Sequence, residues 1–292
     1  MIWIEGNILS AELLDKLPEL NGQRSEDFGL RKSDRLADEI SRCWADAKDL
    51  WRIFNRRIEN LPQEETGTTE TRNIWMVPLL QNLLGYQLQV QREAEIVDNL
   101  SFAISHRDTH LDSFPVHIIG CNQKLDKRYD RQRQSAHSLM QDYLNRTEHT
   151  YGIISNGKSI RLMRDSARLI KQQFVEWDLH RILEEDRYTD FVQLFRLLHS
   201  TRMPKKREDV SECFLEQYHQ TSIDEGNRIR DNLRDAVMKS LEILGTGFIA
   251  HPANDSLRQN LSDGKISPDV FSRLLRRVVY RLLFLMVSEE RE

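Results

Sequence analysis

Hydrophobic positions recur every three or four residues over long stretches of this chain, a spacing that predicts amphipathic helices. The longest of these predicted helices begins at Asp34 and ends before Pro62, because a proline ring is incompatible with a continuing helix. Towards the end of the chain the same pattern predicts helices at residues 213–223, 229–244, 255–261 and 268–292. The chain is therefore predicted to be predominantly helical.

Between residues 114 and 165 the pattern changes to that of a small α/β core. Residues 116–120 form an apolar strand that is entered through a proline, a residue suited to the start of a strand. Ser135 is a good N-cap for the amphipathic helix that follows. This order of elements favours an α+β fold over a helical bundle.

A hairpin and a further strand follow that helix. Asn156 and Gly157 separate apolar runs at residues 151–155 and 158–164, and this dipeptide is a strong hairpin signal because both turn residues must tolerate a positive φ. Another strand is predicted over residues 171–178, with Asp178 capping the next helix. Weaker strand patterns occupy residues 87–97 and 100–106.

Two polar stretches divide the chain into three predicted parts. Residues 63–69 are polar and contain Gly67, and residues 204–209 read PKKRED. We therefore expect an N-terminal helical extension at 1–62, an α/β domain at 63–205 and a helical connector region at 206–292.

Composition narrows the class of protein. Charged residues make up 30% of the 292 residues and the mean hydropathy is −0.60, which predicts a soluble chain. The three cysteines have neither zinc-site spacing nor a disulfide pattern, which suits the reducing cytoplasm. The most apolar segment, residues 278–287, contains Arg281 and is too short for a membrane span. We expect a cytoplasmic protein without a membrane partner.

Basic residues are concentrated in one part of an acidic chain. Residues 120–171 contain eleven Lys and Arg against five acids, a net charge of +6, whereas the remaining residues carry −10. A basic patch on an acidic protein is the electrostatic footprint expected for contacts to phosphate. A solvated loop whose charges bind nothing is the alternative.

Several stretches together resemble the nuclease-like N-terminal region of type IIG restriction–modification enzymes and of DISARM-type adenine-specific DNA methyltransferases. The strand–helix–hairpin order above is one of them. The others are Thr71-Arg72, Trp75, 78–80 and 84–86 upstream, and 191–202, 244–253 and 280–291 downstream. The resemblance implies a degenerate PD-(D/E)xK nuclease-like core flanked by helices.

Active members of that fold hold Mg²⁺ with a carboxylate on one strand and an acid-x-Lys pair on the next. Here Gly120 or Ile119, and then Asn122 or Cys121, stand where the acid and the lysine are expected. Asp108 or Asp112 remains available as the first carboxylate. Asp112, Lys124 and Asp126 are the weak catalytic candidates. We expect neither a metal site nor cleavage.

The sequence also lacks the motifs of an adenine methyltransferase. It contains neither the Gly-rich cofactor turn at a strand end nor the Asn/Asp-Pro-Pro-Tyr/Phe tetrapeptide that holds a flipped base. The resemblance therefore implies that S-adenosylmethionine belongs to a methyltransferase part that follows, and that residue 292 interrupts a longer polypeptide. This chain is not expected to be catalytic alone.

Two functions are predicted. In the first, the chain is a DNA-binding and docking portion of a restriction–modification or phage-defence (antiviral) methyltransferase, with double-stranded DNA and the methyltransferase domain or other defence-system subunits as partners. The predicted DNA contacts are Lys124, Lys127, Arg128, Arg131, Arg133, Lys158, Arg161 and Arg164. In the second, the chain is a protein-interaction scaffold or inhibitor subunit that makes no DNA contact.

Overall fold

The computed structural model describes residues 2–6, 8–62, 64–130, 132–165 and 172–289. It has an α+β fold, predominantly helical with one large mixed sheet, as the sequence predicted. The chain divides into two compact units, Met1–Ile223 and Asp224–Glu292. The expected boundaries near residues 62 and 205 both fall inside the first unit.

Among the described residues, nine strands lie in the first unit. They are β1 (Ile2–Glu5), β2 (Leu88–Val90), β3 (Glu95–Val97), β4 (Leu100–Phe102), β5 (His106–Asp108), β6 (Phe114–Ile118), β7 (Tyr151–Ser155), β8 (Ser159–Arg164) and β9 (Phe174–Asp178).

Seven strands form the large sheet, in the order β1-β9-β8-β7-β6-β5-β2, and β3 pairs with β4 in a separate ribbon. Neighbours in the large sheet are antiparallel except β6 and β7, which are parallel. A parallel pair needs a crossover, and residues 119–150 supply it.

The helices are α1 (Ala11–Asp15), α2 (Leu36–Ile58), α3 (Thr68–Glu70), α4 (Ala136–Leu144), α5 (Leu179–Glu184), α6 (Tyr188–Leu198), α7 (Phe214–Ala250), α8 (Asp255–Ser262) and α9 (Pro268–Glu289). After α3 the helix continues with π-type hydrogen bonding over Thr71–Met76 and Leu79–Leu83. Short 3₁₀ turns occupy Leu17–Glu19, Ser25–Phe28, Ser200–Arg202, Arg207–Glu212 and Pro252–Asn254.

Both faces of the large sheet are covered. On one face, Ile160 and Leu162 of β8 belong to a core that includes Phe54 of α2. On the other face, Met163 belongs to a smaller core with Met140 of α4. Strands buried on both faces carry few surface positions, so a charged residue in their middle has to be accommodated inside the protein.

The strongest local predictions are confirmed. Ser155 pairs with Ile160 across the predicted hairpin and Gly157 has a φ of +80°, but Asn156 does not adopt the positive φ expected of it: its N donates to Ser159 O, so the turn centres on Gly157 and Lys158. The Ser135 hydroxyl accepts a hydrogen bond from Ser138 N at the start of α4, and the Asp178 carboxylate accepts one from Arg181 N at the start of α5. These signals are local, which is why they can be recognised without tertiary information.

Two other predictions are wrong in detail. The strands expected at 87–97 and 100–106 are four shorter strands, because the chain turns away from the large sheet to form the β3–β4 ribbon. The helices expected to end before Gly226 and Gly245 are one continuous helix, α7. Gly245 lies inside α7 and allows a close approach, since a Cβ there would be 3.1 Å from Leu275 Cδ1 in α9.

Candidate nucleic-acid interface

The basic loop, defined here as residues 119–134, joins β6 to α4. Its first half is held against the rest of the first unit by short hydrogen bonds. Gln123 N donates to Gly120 O at 2.9 Å, Asn122 Nδ2 donates to Glu65 O at 2.8 Å, and Leu125 is buried. The backbone around Lys124 is therefore fixed by these contacts.

Four of the five predicted contacts in this loop are exposed cations without a carboxylate partner. Lys124, Lys127, Arg128 and Arg133 are exposed, and none of them forms an ion pair with a residue that the structure describes. Lys127 Nζ lies 5.3 Å from the centre of the Tyr129 ring. The fifth, Arg131, lies outside the described residues.

Arg161 occupies a different position from the one expected of a DNA contact. Its side chain is 6% exposed on β8, and its Nη1 and Nη2 donate to the two carboxylate oxygens of Asp126 at 2.8 and 3.1 Å. Its Nε donates to Glu176 Oε2 at 2.7 Å, and its Nη1 also donates to His137 Nδ1 at 2.7 Å. The guanidinium is thus saturated inside the protein and unavailable to phosphate.

This arrangement also fixes the loop. The hydrogen bonds from Arg161 hold the pKa of the Asp126 carboxyl below its usual value, although partial burial opposes this. Asp126 belongs to the basic loop, so its pairing with Arg161 anchors the loop to the sheet. It also pairs one of the loop's two acids with a buried cation, although the Asp126 side chain itself is 63% exposed.

Arg164 is likewise engaged within the first unit. Its Nη2 donates to Glu216 Oε1 of α7 at 2.8 Å, and its side chain is 20% exposed. The hydroxyl of Tyr151 donates to the same carboxylate. Arg161 and Arg164 therefore have structural roles in this structure in place of the expected phosphate contacts.

Lys158 remains an exposed cation in the hairpin turn, with no ion pair to a described residue. The turn is joined to the basic loop by Asn156 Nδ2, which donates to Gln123 O at 2.7 Å. That bond lies two residues before Lys158 and one residue before Lys124. The two cations thus belong to neighbouring, directly bonded segments.

The weak catalytic candidates are not brought together. Asp112 precedes β6, where it pairs with Arg207 Nε at 3.0 Å, and hydrogen bonds from that side chain lower the pKa of its carboxyl. Lys124 and Asp126 follow the other end of β6. Because the strand separates them, these three residues do not form a single site.

The other positions considered for a metal ligand are closed or occupied. A Cβ at Gly120 would overlap the carbonyl oxygen of Thr66, so no side chain fits there. Asp108 is buried and accepts hydrogen bonds from His110 N and Leu111 N at 2.8 and 3.0 Å. Among the residues the structure describes, no group of three or more His, Cys, Asp and Glu could hold a metal ion.

A cluster that the sequence did not reveal lies at the end of β6. Arg72, in the π-helical segment, donates from Nε to Ile118 O at 2.9 Å. His106 and His117 are both buried on adjacent strands. Burial, followed by the charge of Arg72, lowers the pKa of each of these two histidines to about 4, so both imidazoles are neutral at pH 7.

His117 also lines a cavity of about 400 Å³ between the β4 segment, the end of β6, the basic loop and α4. We call it the His117 cavity. Its lining residues are Leu100, Ser101, Phe102, Ala103, His117, Ile119, Gln132, Arg133, Gln134, Ala136, Leu139 and Asp142. Sequence reasoning missed it because its walls come from four separate segments.

Comparisons with protein-family models, with curated proteins and with solved structures gave no match to this chain. Across the described part of the chain, no helix has both the length and the apolar character needed to cross a bilayer.

Proposed function

We propose that this chain is a DNA-binding and docking module. The observation that carries this proposal is the set of exposed, unpaired cations on the basic loop, which the Asp126–Arg161 pair anchors to the sheet. Cations without a carboxylate partner are free to replace the counterions of a phosphate backbone. A preformed loop also loses less conformational freedom on binding than a flexible one does.

The order of elements supports the finer proposal of a nuclease-like core. A helical segment leads into three antiparallel strands, β2, β5 and β6, and then α4 leads into β7, which is parallel to β6. With Gly120 closed to any side chain and the candidate acids apart, we propose a core of this kind that binds DNA without cleaving it.

The biological setting follows from the resemblance alone and forms part of the same proposal. It places this chain in a cytoplasmic restriction–modification or phage-defence system. There it would act beside an adenine-specific methyltransferase part that binds S-adenosylmethionine. The resemblance supplies these partners, and the basic loop supplies the surface that would meet DNA.

The test is a fluorescence-anisotropy titration of the chain against fully paired duplex DNA at several salt concentrations. The double variant Lys127→Glu/Arg128→Glu should weaken binding and reduce the slope of log K against log salt by about 2, one for each lost phosphate contact. Arg31→Glu/Lys32→Glu is a matched control, because it reverses two adjacent exposed cations outside the basic loop. Absence of binding at low salt, or equal effects of the two double variants, would overturn the proposal.

A second candidate is a protein-interaction scaffold, which one observation on the second unit favours. Near the end of α9 several large apolar side chains are exposed, among them Phe284 at 72% and Met286 at 65%. Exposed apolar patches often mark interaction surfaces. Sedimentation velocity tests this candidate: self-association that persists at about 0.5 M salt and is abolished by Phe284→Lys/Met286→Lys would support it, because apolar contacts are not screened as charges are.

A further inference from the structure

The His117 cavity and the basic loop share residues. Gln132, Arg133 and Gln134 line the cavity, and they belong to the same loop that carries Lys124, Lys127 and Arg128. A phosphate chain held along the loop would therefore pass the cavity mouth. At about 400 Å³ the cavity lies within the size range of small-ligand sites.

The inner walls of the cavity are apolar. Phe102 and Ile119 are buried side chains of the smaller core, and Leu139 of α4 is half-buried beside them. Apolar and aromatic walls of this kind suit the flat faces of a heterocyclic ring. They do not suit a compact inorganic anion, which needs converging polar donors.

One wall is polar and unsatisfied. His117 is 91% buried, and its Nδ1 has no hydrogen-bond partner among the described residues; none is seen for Nε2. A buried N–H without an acceptor costs more than an unused lone pair, so the proton of the neutral imidazole is assigned to Nε2. The cavity therefore offers a hydrogen-bond donor that the protein itself does not use.

The cavity rim offers a matching acceptor. Gln134 Nε2 donates to Asp142 Oδ2 at 3.1 Å, which fixes the amide and leaves Gln134 Oε1 as an acceptor. Asp142 is in turn paired with Arg146 Nε at 2.7 Å, so its charge does not repel an incoming phosphate. A donor and an acceptor beside flat apolar walls complement the edge and faces of a nucleobase.

We propose that the His117 cavity binds a nucleobase, supplied as an unpaired base of nucleic acid held on the basic loop or as a free nucleotide. The macromolecular source rests on the proposed DNA-binding function, and the free-nucleotide source does not. Bound in this way, the base packs against Leu139 over a floor formed by Phe102 and Ile119, and its edge meets His117, while its phosphate lies towards Arg133.

The experiment uses the full chain and three labelled duplexes of one sequence: fully paired, with a single bulged adenine, and with an abasic site at the bulge. The bulged adenine should bind about tenfold more tightly than the abasic bulge, the range that base–aromatic stacking provides. With 2-aminopurine at the bulge, its emission should change on binding because the base leaves the DNA stack. A parallel titration compares adenosine monophosphate with ribose 5-phosphate, which lacks the base.

Leu139→Trp fills the cavity from a half-buried position, and Gln134→Leu removes the acceptor at its rim. Both should abolish the preference for the base, and Leu139→Trp, which lies outside the basic loop, should leave binding to the fully paired duplex unchanged. Ile53→Trp, on an exposed position of α2 outside the cavity, is the matched control and should keep the preference. Circular dichroism melting shows whether each variant is folded.

The outcomes separate the two proposals. Equal affinity for the adenine and abasic bulges, together with equal affinity for adenosine monophosphate and ribose 5-phosphate, overturns the cavity inference even if paired DNA binds. The chain could bind adenosine monophosphate tightly, lose that binding in Leu139→Trp, and bind no DNA. That result supports the cavity inference and overturns the DNA-binding function. A base preference that Leu139→Trp and Gln134→Leu leave intact also overturns the cavity as its site.

Discussion

Arg161 and Asp126 form a bidentate pair that joins a buried strand to an exposed loop, with N–O distances of 2.8 and 3.1 Å. The arginine contacts the face of Phe174 in the smaller core, with its guanidinium carbon 4.0 Å from the ring centre. Arg161, which the sequence predicted to contact DNA, thus holds in place the basic loop, whose exposed cations would make such contacts.

Replacing this arginine should destabilise the protein. Arg161→Met leaves Asp126 and the partly buried Glu176 without their partner, and losing these charge-assisted hydrogen bonds should lower the free energy of unfolding by about 2 kcal/mol. Urea denaturation measures the change. Arg52→Met, which removes an exposed pair with Asp49 on α2, is the control and should leave the unfolding midpoint unchanged. A stable Arg161→Met protein that lost only salt-dependent DNA binding would show Arg161 to be a phosphate contact instead.

Stability should fall in mild acid. Burial lowers the pKa of His117, His137 and His199 to about 4 in the folded chain, against 6.5 for an ordinary histidine. Between these values the unfolded chain binds more protons, so the free energy of unfolding should decrease as the pH falls from about 6.5 to about 4. Urea midpoints at constant ionic strength between pH 7 and 5 measure this effect.

The range between pH 7 and 5 separates the effect of the histidines on stability from that of the carboxylates. The pKa of Asp126 is lowered from 3.8 by its hydrogen bonds with Arg161, so the stability from that pair is lost only below this value. Unfolding midpoints that stay constant from pH 7 to 5 would contradict the buried neutral histidines. His137→Gln should flatten part of the dependence.

Two glycine substitutions should have opposite effects. Gly120→Ala places a Cβ against the backbone of Thr66 and should destabilise the fold by about 2 kcal/mol, within the usual range for overpacking. Gly226→Ala meets nothing within 4 Å inside α7 and should stabilise that helix by up to about 1 kcal/mol. Thermal melting of both variants measures these effects. An unchanged melting temperature for Gly120→Ala would show that the start of the basic loop can move away from Thr66.

Lys158 should contribute one phosphate contact if the hairpin turn and the basic loop bind DNA together. Lys158→Glu should then reduce the salt slope of duplex binding by about 1 and leave thermal stability unchanged, because its side chain is exposed. Lys32→Glu is the single-charge control. If Lys158→Glu leaves the salt slope of duplex binding unchanged, Lys158 does not contact phosphate and the DNA interface is limited to the basic loop.

Local signals made much of the fold predictable. The hairpin around Gly157 and the caps at Ser135 and Asp178 depend on a few neighbouring residues, and they occur where expected, although the turn centres on Gly157 and Lys158. The π-helical hydrogen bonding around Arg72 was not predictable, because it depends on how that segment packs against β6. Likewise, Gly245 resembles a helix-ending glycine in the sequence, because its close approach to Leu275 of α9 is visible only in the structure.

The candidate site was only partly predictable for a related reason. Charge density identified the basic loop, since counting residues requires no coordinates. Charge density did not show that Lys124 is exposed whereas Arg161 is buried, because burial of β8 on both faces is a tertiary property. The His117 cavity combines residues that are up to 42 positions apart, between Leu100 and Asp142, and no single stretch contains its pattern.

The parallel pairing of β6 and β7 has one more consequence. Their register is fixed by strand-to-strand hydrogen bonds, such as those that align Val116 with Ile153, and not by the length of the crossover between them. Residues between the Asp126 tether and the Ser135 cap can therefore be inserted, deleted or exchanged without shifting the sheet. Ligand preference could thus diversify over evolution in this segment while the scaffold stays unchanged.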